Sequence, residues 1–168
     1  MTPHAAADGR EAIAAAVALV LRSTRSRPQT VAELRAKLSD RDYEATVIDA
    51  AITRGAELGA IDDAAFARAW VADRGMVRGY SAARLRQELR RRRVPQPLID
   101  DALAQLDDRD DLTVATELAR TRAQQLPAAL APDAVARRLL GFLARRGYPE
   151  ALARRVAIDV SGLDRQWD

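Results

Sequence analysis

The stretch SAARLRQELRRRRVPQPLIDDAL, residues 81–103, places Leu85 and Leu89 one helical turn apart in a segment dominated by arginine. Residues four positions apart lie on the same face of an α-helix, so the two leucines predict a helix with an apolar stripe. Two prolines then mark a turn, and the apolar residues around Ile99 predict a second helix. The stretch therefore predicts a pair of helices joined by a short turn.

The same pattern of apolar residues occurs three times along the chain, at matching offsets and without a gap. In the order of the three copies, the matched positions are Leu34, Leu85 and Leu139; Leu38, Leu89 and Leu143; Tyr43, Val94 and Tyr148; Val47, Leu98 and Leu152; Ile48, Ile99 and Ala153; and Ala51, Ala102 and Val156. Agreement at this many offsets favours a true repeat over a chance alignment in a chain rich in alanine and leucine.

A further helix precedes each pair. The residues that indicate it lie four apart in each copy: Ala15 and Leu19, then Phe66, Trp70 and Arg74, then Val114, Leu118 and Arg122. We therefore predict an all-α fold, a tandem repeat of three three-helix, helix-turn-helix-like units. Because each repeat in such an array contacts mainly its neighbours, we expect an elongated or curved arrangement, with a compact bundle as the alternative.

The repeat sets the expected domain boundaries. They are a disordered N-terminal tail at 1–10, repeats at 11–61, 62–109 and 110–160, and a C-terminal tail at 161–168. Helix-end signals agree with them, since Thr30 and Glu33 form a capping-box pattern. The expected N-caps are Asp63, Ser81, Asp111 and Asp133, and the expected C-terminal glycines are Gly59 and Gly147.

Composition argues against an enzyme. The chain has no cysteine, and its one histidine, His4, lies in the expected tail. Aspartate pairs at 62–63, 100–101, 107–108 and 110–111 fall at helix ends, where they complement the helix dipole. We predict no catalytic residue, metal site or cofactor. The apolar run at residues 12–21 is shorter than the roughly 20 residues that span a bilayer, so a cytoplasmic protein without membrane contact is expected. We also expect a monomer.

The middle copy resembles the signature of the bacterial RecX regulators. The resemblance lies in IDDAAFARAWVADR, residues 61–74, and GYSAARLRQELRRRRVPQPLIDDAL, residues 79–103. The flanking copies VAELRAKLSDRDYEATVIDAAI and VARRLLGFLARRGYPEALARRV, residues 31–52 and 135–156, are also similar to that family. The resemblance extends over about residues 12–158.

The resemblance implies both a fold and a function. RecX proteins consist of tandem three-helix repeats, bind the RecA–DNA nucleoprotein filament, and restrain its recombinase, ATPase and linked coprotease activities without an enzymatic activity of their own. The signature residues, for which we expect structural roles, are Asp62, Asp63, Phe66, Trp70, Leu85, Leu89 and Ile99. Phe66 and Trp70 have the spacing of a core face, although base stacking is the alternative role for such aromatic residues.

Two positions depart from the family pattern. Asp42 and Arg93 stand where the family usually has the glycine seen at Gly147, so the middle turn is expected to have a different backbone. Gly55 replaces a larger residue inside a helix and is expected to weaken the first repeat locally.

The arginines of residues 84–93 form stripes on their predicted helix. Arg86, Arg90 and Arg93 lie beside the leucine face, and Arg84 and Arg91 lie farther out. Arg92 borders the core, as do its equivalents Arg41 and Arg146, and a structural role is expected there. The predicted RecA- or DNA-binding residues are Arg74, Arg78, Arg84, Arg86, Arg90, Arg91, Arg93, Arg138 and Arg145.

Two alternatives to filament binding stay open for this surface. Arginine favours bidentate contacts with phosphate or carboxylate, but a GC-rich genome also enriches it, and Lys37 is the only lysine among 27 basic residues. The stripes could thus be a solvated helix face. A helix-turn-helix-like protein that binds single- or double-stranded DNA without RecA is the other functional class. Sequence-specific reading is disfavoured because the chain lacks asparagine and the basic helix offers only Gln87.

Overall fold

The structure is a computed structural model that describes the backbone of residues 3–163 and the side chains of residues 9–163. This part of the chain forms nine α-helices and no strand: α1 Pro3–Ser26, α2 Val31–Ser39, α3 Ala45–Glu57, α4 Asp63–Val71, α5 Ala82–Arg91, α6 Gln96–Leu103, α7 Asp111–Gln124, α8 Pro132–Ala144 and α9 Glu150–Ser161. A π-helical segment, Ala72–Val77, follows α4, and a short 3₁₀ turn, Ala104–Leu106, follows α6. The predicted all-α fold is confirmed.

The repeated leucines lie in the core. All six side chains at the first two matched positions have no exposed surface: Leu34, Leu38, Leu85, Leu89, Leu139 and Leu143. Ile99 and Ala102 of the middle copy and Ala153 of the third are equally buried. Burial of an aliphatic side chain stabilises the fold by about 1.5–3 kcal/mol, and each copy gains this stabilisation at the same helical positions.

The described residues form two compact units. One contains the residues up to Ala69 together with Leu89–Ala102, and the other contains Trp70–Glu88 together with the residues from Leu103 onward. The first has a core of α1, α2 and α3, which includes Val20, Leu34 and Ile48. The second has a core of α7, α8 and α9, which includes Ala119, Leu139 and Tyr148. The boundary between the units thus falls within the predicted middle repeat.

The N-terminal helix is longer than expected. Helix α1 begins at Pro3, inside the segment 1–10 that was predicted as a tail. The alanines of this segment have the highest helix propensity of any residue and extend the helix toward the N-terminus. Residues 1–2 and residues 164–168 of the expected C-terminal tail lie outside the described residues.

The capping box and the Ser81 cap are confirmed, whereas the three expected aspartate caps, Asp63, Asp111 and Asp133, are wrong. The Thr30 hydroxyl accepts from the Glu33 amide and the Glu33 carboxylate accepts from the Thr30 amide, both at 3.2 Å. Ser81 caps α5 as expected. In the two aspartate pairs, however, the first member and not the second is the cap: Asp62 for α4 and Asp110 for α7. Asp133 lies in the first turn of α8, after Ala131 and Pro132.

The turns after α2, α5 and α8 share one backbone conformation, which corrects the expectation of a different middle turn. Asp42, Arg93 and Gly147 have φ values of 60°, 56° and 83°. In each copy the following amide donates to the carbonyl five residues back, from Tyr43, Val94 and Tyr148 to the second leucine of the repeat. The hydrogen bonds that close the turn require a left-handed residue whatever its side chain.

Replacing Arg93 with glycine is expected to stabilise the protein. A left-handed conformation costs a side-chain-bearing residue about 1–2 kcal/mol, and the greater flexibility of unfolded glycine offsets part of that, which leaves a gain of about 0.5–1 kcal/mol. Urea unfolding of Arg93→Gly measures it. Asp42→Gly is the control and should gain less, because aspartate tolerates this conformation better. A destabilised Arg93→Gly would show that the arginine side chain contributes more than its strain costs.

Gly55 allows close packing and does not simply weaken the first repeat. A Cβ atom at this position in α3 would lie 2.7 Å from Cδ1 of Ile61 and 3.0 Å from Cγ1 of Val20. A larger residue would force these neighbours apart, so the contact requires glycine despite its cost of about 1 kcal/mol in a helix.

Among the helices of the described residues, none has the length and apolar character needed to cross a membrane.

Candidate functional site

A carboxylate on the basic helix α5 holds two arginines and an indole. The Glu88 side chain is 13% exposed, and its oxygens accept from Nε1 of Trp70 at 3.0 Å and from Nε of Arg84 at 3.0 Å. An Nη of Arg74 lies 3.6 Å from the same carboxylate, and the Arg74 guanidinium stacks 3.7 Å from the centre of a Trp70 ring. One nearly buried anion thus fixes the positions of two predicted binding arginines.

Aromatic rings and arginines alternate beside this carboxylate. The Arg84 guanidinium lies 4.6 Å from the Tyr80 ring centre, and the Arg146 guanidinium lies 5.9 Å from the same ring and 3.7 Å from that of Phe142. Burial is the main cause that lowers the pKa of Arg146, and the hydroxyls of Tyr80 and Tyr148 act in the opposite direction. Each such stack contributes about 0.5–2 kcal/mol, depending on desolvation. We call these residues, with Trp70, Arg74 and Glu88, the arginine–aromatic cluster.

Hydrogen bonds from hydroxyl groups attach the start of α5 to the turn between α8 and α9. The Ser81 hydroxyl donates to the Gly147 carbonyl at 2.7 Å, and the Ser81 amide donates to the Arg146 carbonyl at 3.0 Å. The Tyr148 hydroxyl donates to the Gly79 carbonyl at 2.9 Å, and burial raises the pKa of this tyrosine. Arg84 also donates to the Arg145 carbonyl. The cluster is therefore built on an anchored helix end.

Several predicted binding arginines are engaged inside the protein. Arg74 and Arg84 belong to the cluster, which gives them structural roles that the sequence did not predict. Arg78 pairs with Asp73 at 3.1 Å, and Arg90 donates to Gln96 at 2.9 Å. Arg86 is half-buried. Their charges are partly satisfied before any partner arrives.

Four predicted binding arginines are exposed and unengaged. Among the described residues, none accepts a hydrogen bond from, or forms an ion pair with, the side chains of Arg91, Arg93, Arg138 or Arg145. Arg138 and Arg145 line a cleft of about 330 Å³ on α7 and α8, together with Arg122 and Arg137. Of the nine predicted residues, these four are the best placed to meet phosphate or carboxylate groups.

Comparison with known proteins gives the family. The family model of the first three-helix domain of RecX matches residues 13–54, and that of the second three-helix domain matches residues 62–103. Regulatory protein RecX of Streptomyces coelicolor is 36% identical over 158 residues, which cover 92% of this chain and 84% of that protein. This chain belongs to the RecX family. Regulatory protein RecX of Mycolicibacterium vanbaalenii is 40% identical over 141 residues, 81% of this chain and 77% of that protein.

Solved RecX structures have the same fold. The crystal structure of RecX from Lactobacillus salivarius has a TM-score of 0.68 and covers 90% of this chain and 97% of its own, at 16% identity. A crystal structure of regulatory protein RecX has a TM-score of 0.65 and covers 90% of this chain and 74% of its own, at 22% identity. At these identities the likeness bears on the fold alone.

The RecX signature residues have structural positions, with one correction. Phe66, Leu85, Leu89 and Ile99 are buried, as expected. Trp70 is only half-buried, so its assignment to the core is wrong. Its indole N–H needs an acceptor, which Glu88 supplies near the surface, and Arg74 covers the ring.

The acidic part of the signature connects helices of the first unit. Asp62 accepts from the Ala65 amide at 2.8 Å, and Asp63 accepts from the Val31 amide, at the start of α2, at 2.9 Å. Burial is the largest cause that raises the pKa of Asp63, with Asp62 and Glu33 adding to it, while the hydrogen bond from Val31 acts in the opposite direction. Within the described side chains, no three histidine, aspartate or glutamate residues are placed to hold a metal ion.

The structural role expected for Arg92 of the RecX signature repeat is confirmed. Its guanidinium pairs with Glu33 at 2.6 Å and lies 5.5 Å from the Phe66 ring centre. Its carbonyl accepts from the Thr30 hydroxyl at 3.0 Å. Arg92 thus connects the capping box of α2 to the end of α5.

Residues that the sequence did not single out complete the cluster. Glu88 could have been found from its i, i+4 spacing to Arg84, which is typical of helical ion pairs. Arg146 lies four positions from Phe142 and Arg84 four positions from Tyr80, so these two stacks could also have been found from their spacing. The contact between Arg146 and Tyr80 has no local signal, because it joins residues more than sixty positions apart.

Proposed function

We propose that this RecX-family protein is a non-enzymatic regulator of RecA. It binds the RecA–DNA nucleoprotein filament as a monomer and inhibits the recombinase, ATPase and linked coprotease activities of RecA. The observation that supports the proposal is the extent of the match to proteins named Regulatory protein RecX, which covers 92% of the chain at 36% identity in one case.

The exposed arginines are the proposed contact residues. Arg91 and Arg93, at and just after the end of α5, belong to one unit, and Arg138 of α8 and Arg145, which follows α8, belong to the other. A guanidinium presents a planar fork of donors that matches either a DNA phosphate or a carboxylate on RecA. Arg78, Arg86 and Arg90 would add positive charge, while Arg74 and Arg84 would act as positioning residues within the arginine–aromatic cluster.

Direct binding to DNA without RecA is the second candidate. The exposed, unpaired state of Arg91 and Arg93 favours it as much as it favours filament binding. The two differ in a simple measurement, because a protein that acts through DNA alone binds bare DNA as tightly as it binds the filament. Such binding would weaken steeply with salt, since phosphate contacts release counterions.

RecA ATP hydrolysis on single-stranded DNA tests the proposal. Substoichiometric amounts of the protein should depress this hydrolysis and RecA-driven strand exchange, because one bound regulator restrains a neighbouring stretch of filament. The protein alone should hydrolyse no ATP. Unchanged RecA activity at a large excess of folded protein would refute the proposal. Equal inhibition of an unrelated DNA-dependent ATPase would favour direct DNA binding.

A further inference from the structure

Two large apolar side chains at the end of the π-helical segment point into solvent. Met76 is 65% exposed and Val77 is 79% exposed. They border a cleft of about 450 Å³ whose apolar lining is Val114 and Leu118 of α7 and Phe142 of α8. In the described part of the chain, Leu58, which is 48% exposed, is the one other exposed large apolar residue. Contiguous exposed apolar surface beside a cleft is typical of an interaction site.

The segment that carries these side chains is held in place. The Arg78 amide donates to the Asp73 carbonyl at 3.1 Å, the five-residue spacing of a π-helix, and the Tyr80 amide donates to the Arg74 carbonyl at 2.8 Å. The Arg109 guanidinium donates to the Gly75 carbonyl at 2.9 Å and to the Tyr80 carbonyl at 3.0 Å. π-helical turns occur often at functional sites.

Arg109 itself is 13% exposed and pairs with Asp111 at 2.7 Å. The nearly buried Arg109 guanidinium thus fixes the backbone at Gly75 and Tyr80, on either side of the exposed Met76 and Val77. An apolar surface that is already ordered loses little conformational entropy on binding, which favours affinity.

The rim of the cleft carries positive charge without an acidic partner. Among the described residues, Arg146 has no carboxylate partner: it stacks on Phe142 and donates to the Arg78 carbonyl at 3.3 Å. Arg122 donates to the amide oxygen of Gln125 at 3.1 Å. Glu117 is the single acidic residue in the lining. The groove therefore combines an apolar floor with guanidinium groups that a carboxylate would satisfy.

We propose that this groove binds a segment of RecA in which a large apolar side chain lies next to an aspartate or glutamate. The inference rests on the proposed function, and it assigns to the protein partner a surface distinct from the exposed arginines. The apolar side chain packs between Val77, Leu118 and Phe142, and the carboxylate meets Arg146. The guanidinium groups at the rim would also accept a phosphate, but Val114, Leu118 and Met76 offer it no hydrogen bond and favour an apolar side chain.

Val77→Asp and Met76→Asp test the groove, with Leu58→Asp as the matched control. All three replace an exposed apolar residue by the same charge, so each should fold like the parent protein. Binding is measured by fluorescence anisotropy of the labelled full-length protein against RecA filaments on single-stranded DNA with a non-hydrolysable ATP analogue. We expect at least about tenfold weaker binding for the two groove variants, the effect of losing a central interface residue, and a change within about twofold for Leu58→Asp.

Arg146→Gln should also weaken filament binding. Thermal unfolding of this variant measures how much stability is lost with the stacking of Arg146 on Phe142. If the parent protein inhibits RecA and the groove variants bind and inhibit like Leu58→Asp, the groove proposal is overturned while the proposed function stands. If the parent protein leaves RecA unaffected, both fall. If the groove variants lose affinity for bare single-stranded DNA to the same degree, the surface binds DNA. If they abolish self-association in sedimentation, it binds a second copy of the protein. Either result would also overturn the groove proposal.

Discussion

Replacing Leu85 with alanine is expected to lower the free energy of unfolding by about 3–5 kcal/mol. Leu85 lies in the first half of α5, has no exposed surface, and occupies the same repeat position as Leu34 and Leu139. Its loss removes buried apolar surface and leaves a cavity that the anchored start of α5 cannot easily close. Since small domains are stable by only about 5–15 kcal/mol, the loss would be a large share of the total.

Urea unfolding followed by circular dichroism measures this change. Leu58→Ala is the control, because the same side chain is 48% exposed there and an exposed substitution usually changes stability by less than about 0.5 kcal/mol. A loss below about 1 kcal/mol for Leu85→Ala would contradict the repeat as the basis of the core.

Changing the four unengaged arginines together to glutamine should weaken filament binding by about a hundredfold, if each contact contributes about 0.7 kcal/mol, within the range of exposed ion pairs. Arg91, Arg93, Arg138 and Arg145 are exposed, so the core should be unaffected. If they contact phosphates, the slope of log K against log salt should flatten by about 0.7 per lost contact on single-stranded DNA and about 0.9 on duplex. If they contact carboxylates of RecA, binding to bare DNA should barely change.

The chain offers a control set with the same change of charge. Arg35, Arg54, Arg68 and Arg154 are exposed but already pair with Asp49, Glu57, Asp101 and Glu150. Changing these four to glutamine should reduce filament affinity much less. Equal losses in the two sets would mean that net charge attracts the protein to the filament without a defined contact, and the proposed arginine sites would be rejected.

The fold was predictable because its information is local and repeated. Leu34, Leu85 and Leu139 are each followed by a leucine four residues later, and a buried helix face needs this spacing. The third copy keeps the same leucine spacing, although its α7–α8 connection is longer than the α1–α2 connection of the first copy. The π-helical segment was not predictable, since its backbone depends on the distant Arg109 and on no residue pattern of its own.

The candidate site was predictable only in composition. The sequence shows the density of arginine in residues 84–93, but it does not show that Arg84 is engaged inside the protein and Arg91 is exposed. Arg84 contacts the Arg145 carbonyl and the Tyr80 ring, whereas Arg91 lies in solvent. An angular assignment on an isolated helix places both on one outer stripe, because it contains no information about which neighbours cover the stripe.

The turns after α2, α5 and α8 share a backbone but not the space around it. At Gly147 a Cβ atom would lie 2.5 Å from Cβ of Arg84 and 2.7 Å from Oγ of Ser81, whereas Asp42 and Arg93 carry full side chains at the equivalent positions. Random mutations would therefore be tolerated to different degrees at the three turn positions. The first two turns accept many residues at a cost of about 1 kcal/mol of strain, while the third adds a collision to that strain and accepts glycine alone. Three copies of one turn thus differ in mutational tolerance, and sequence drift would erase the repeat's glycine from two of them while keeping it in the third.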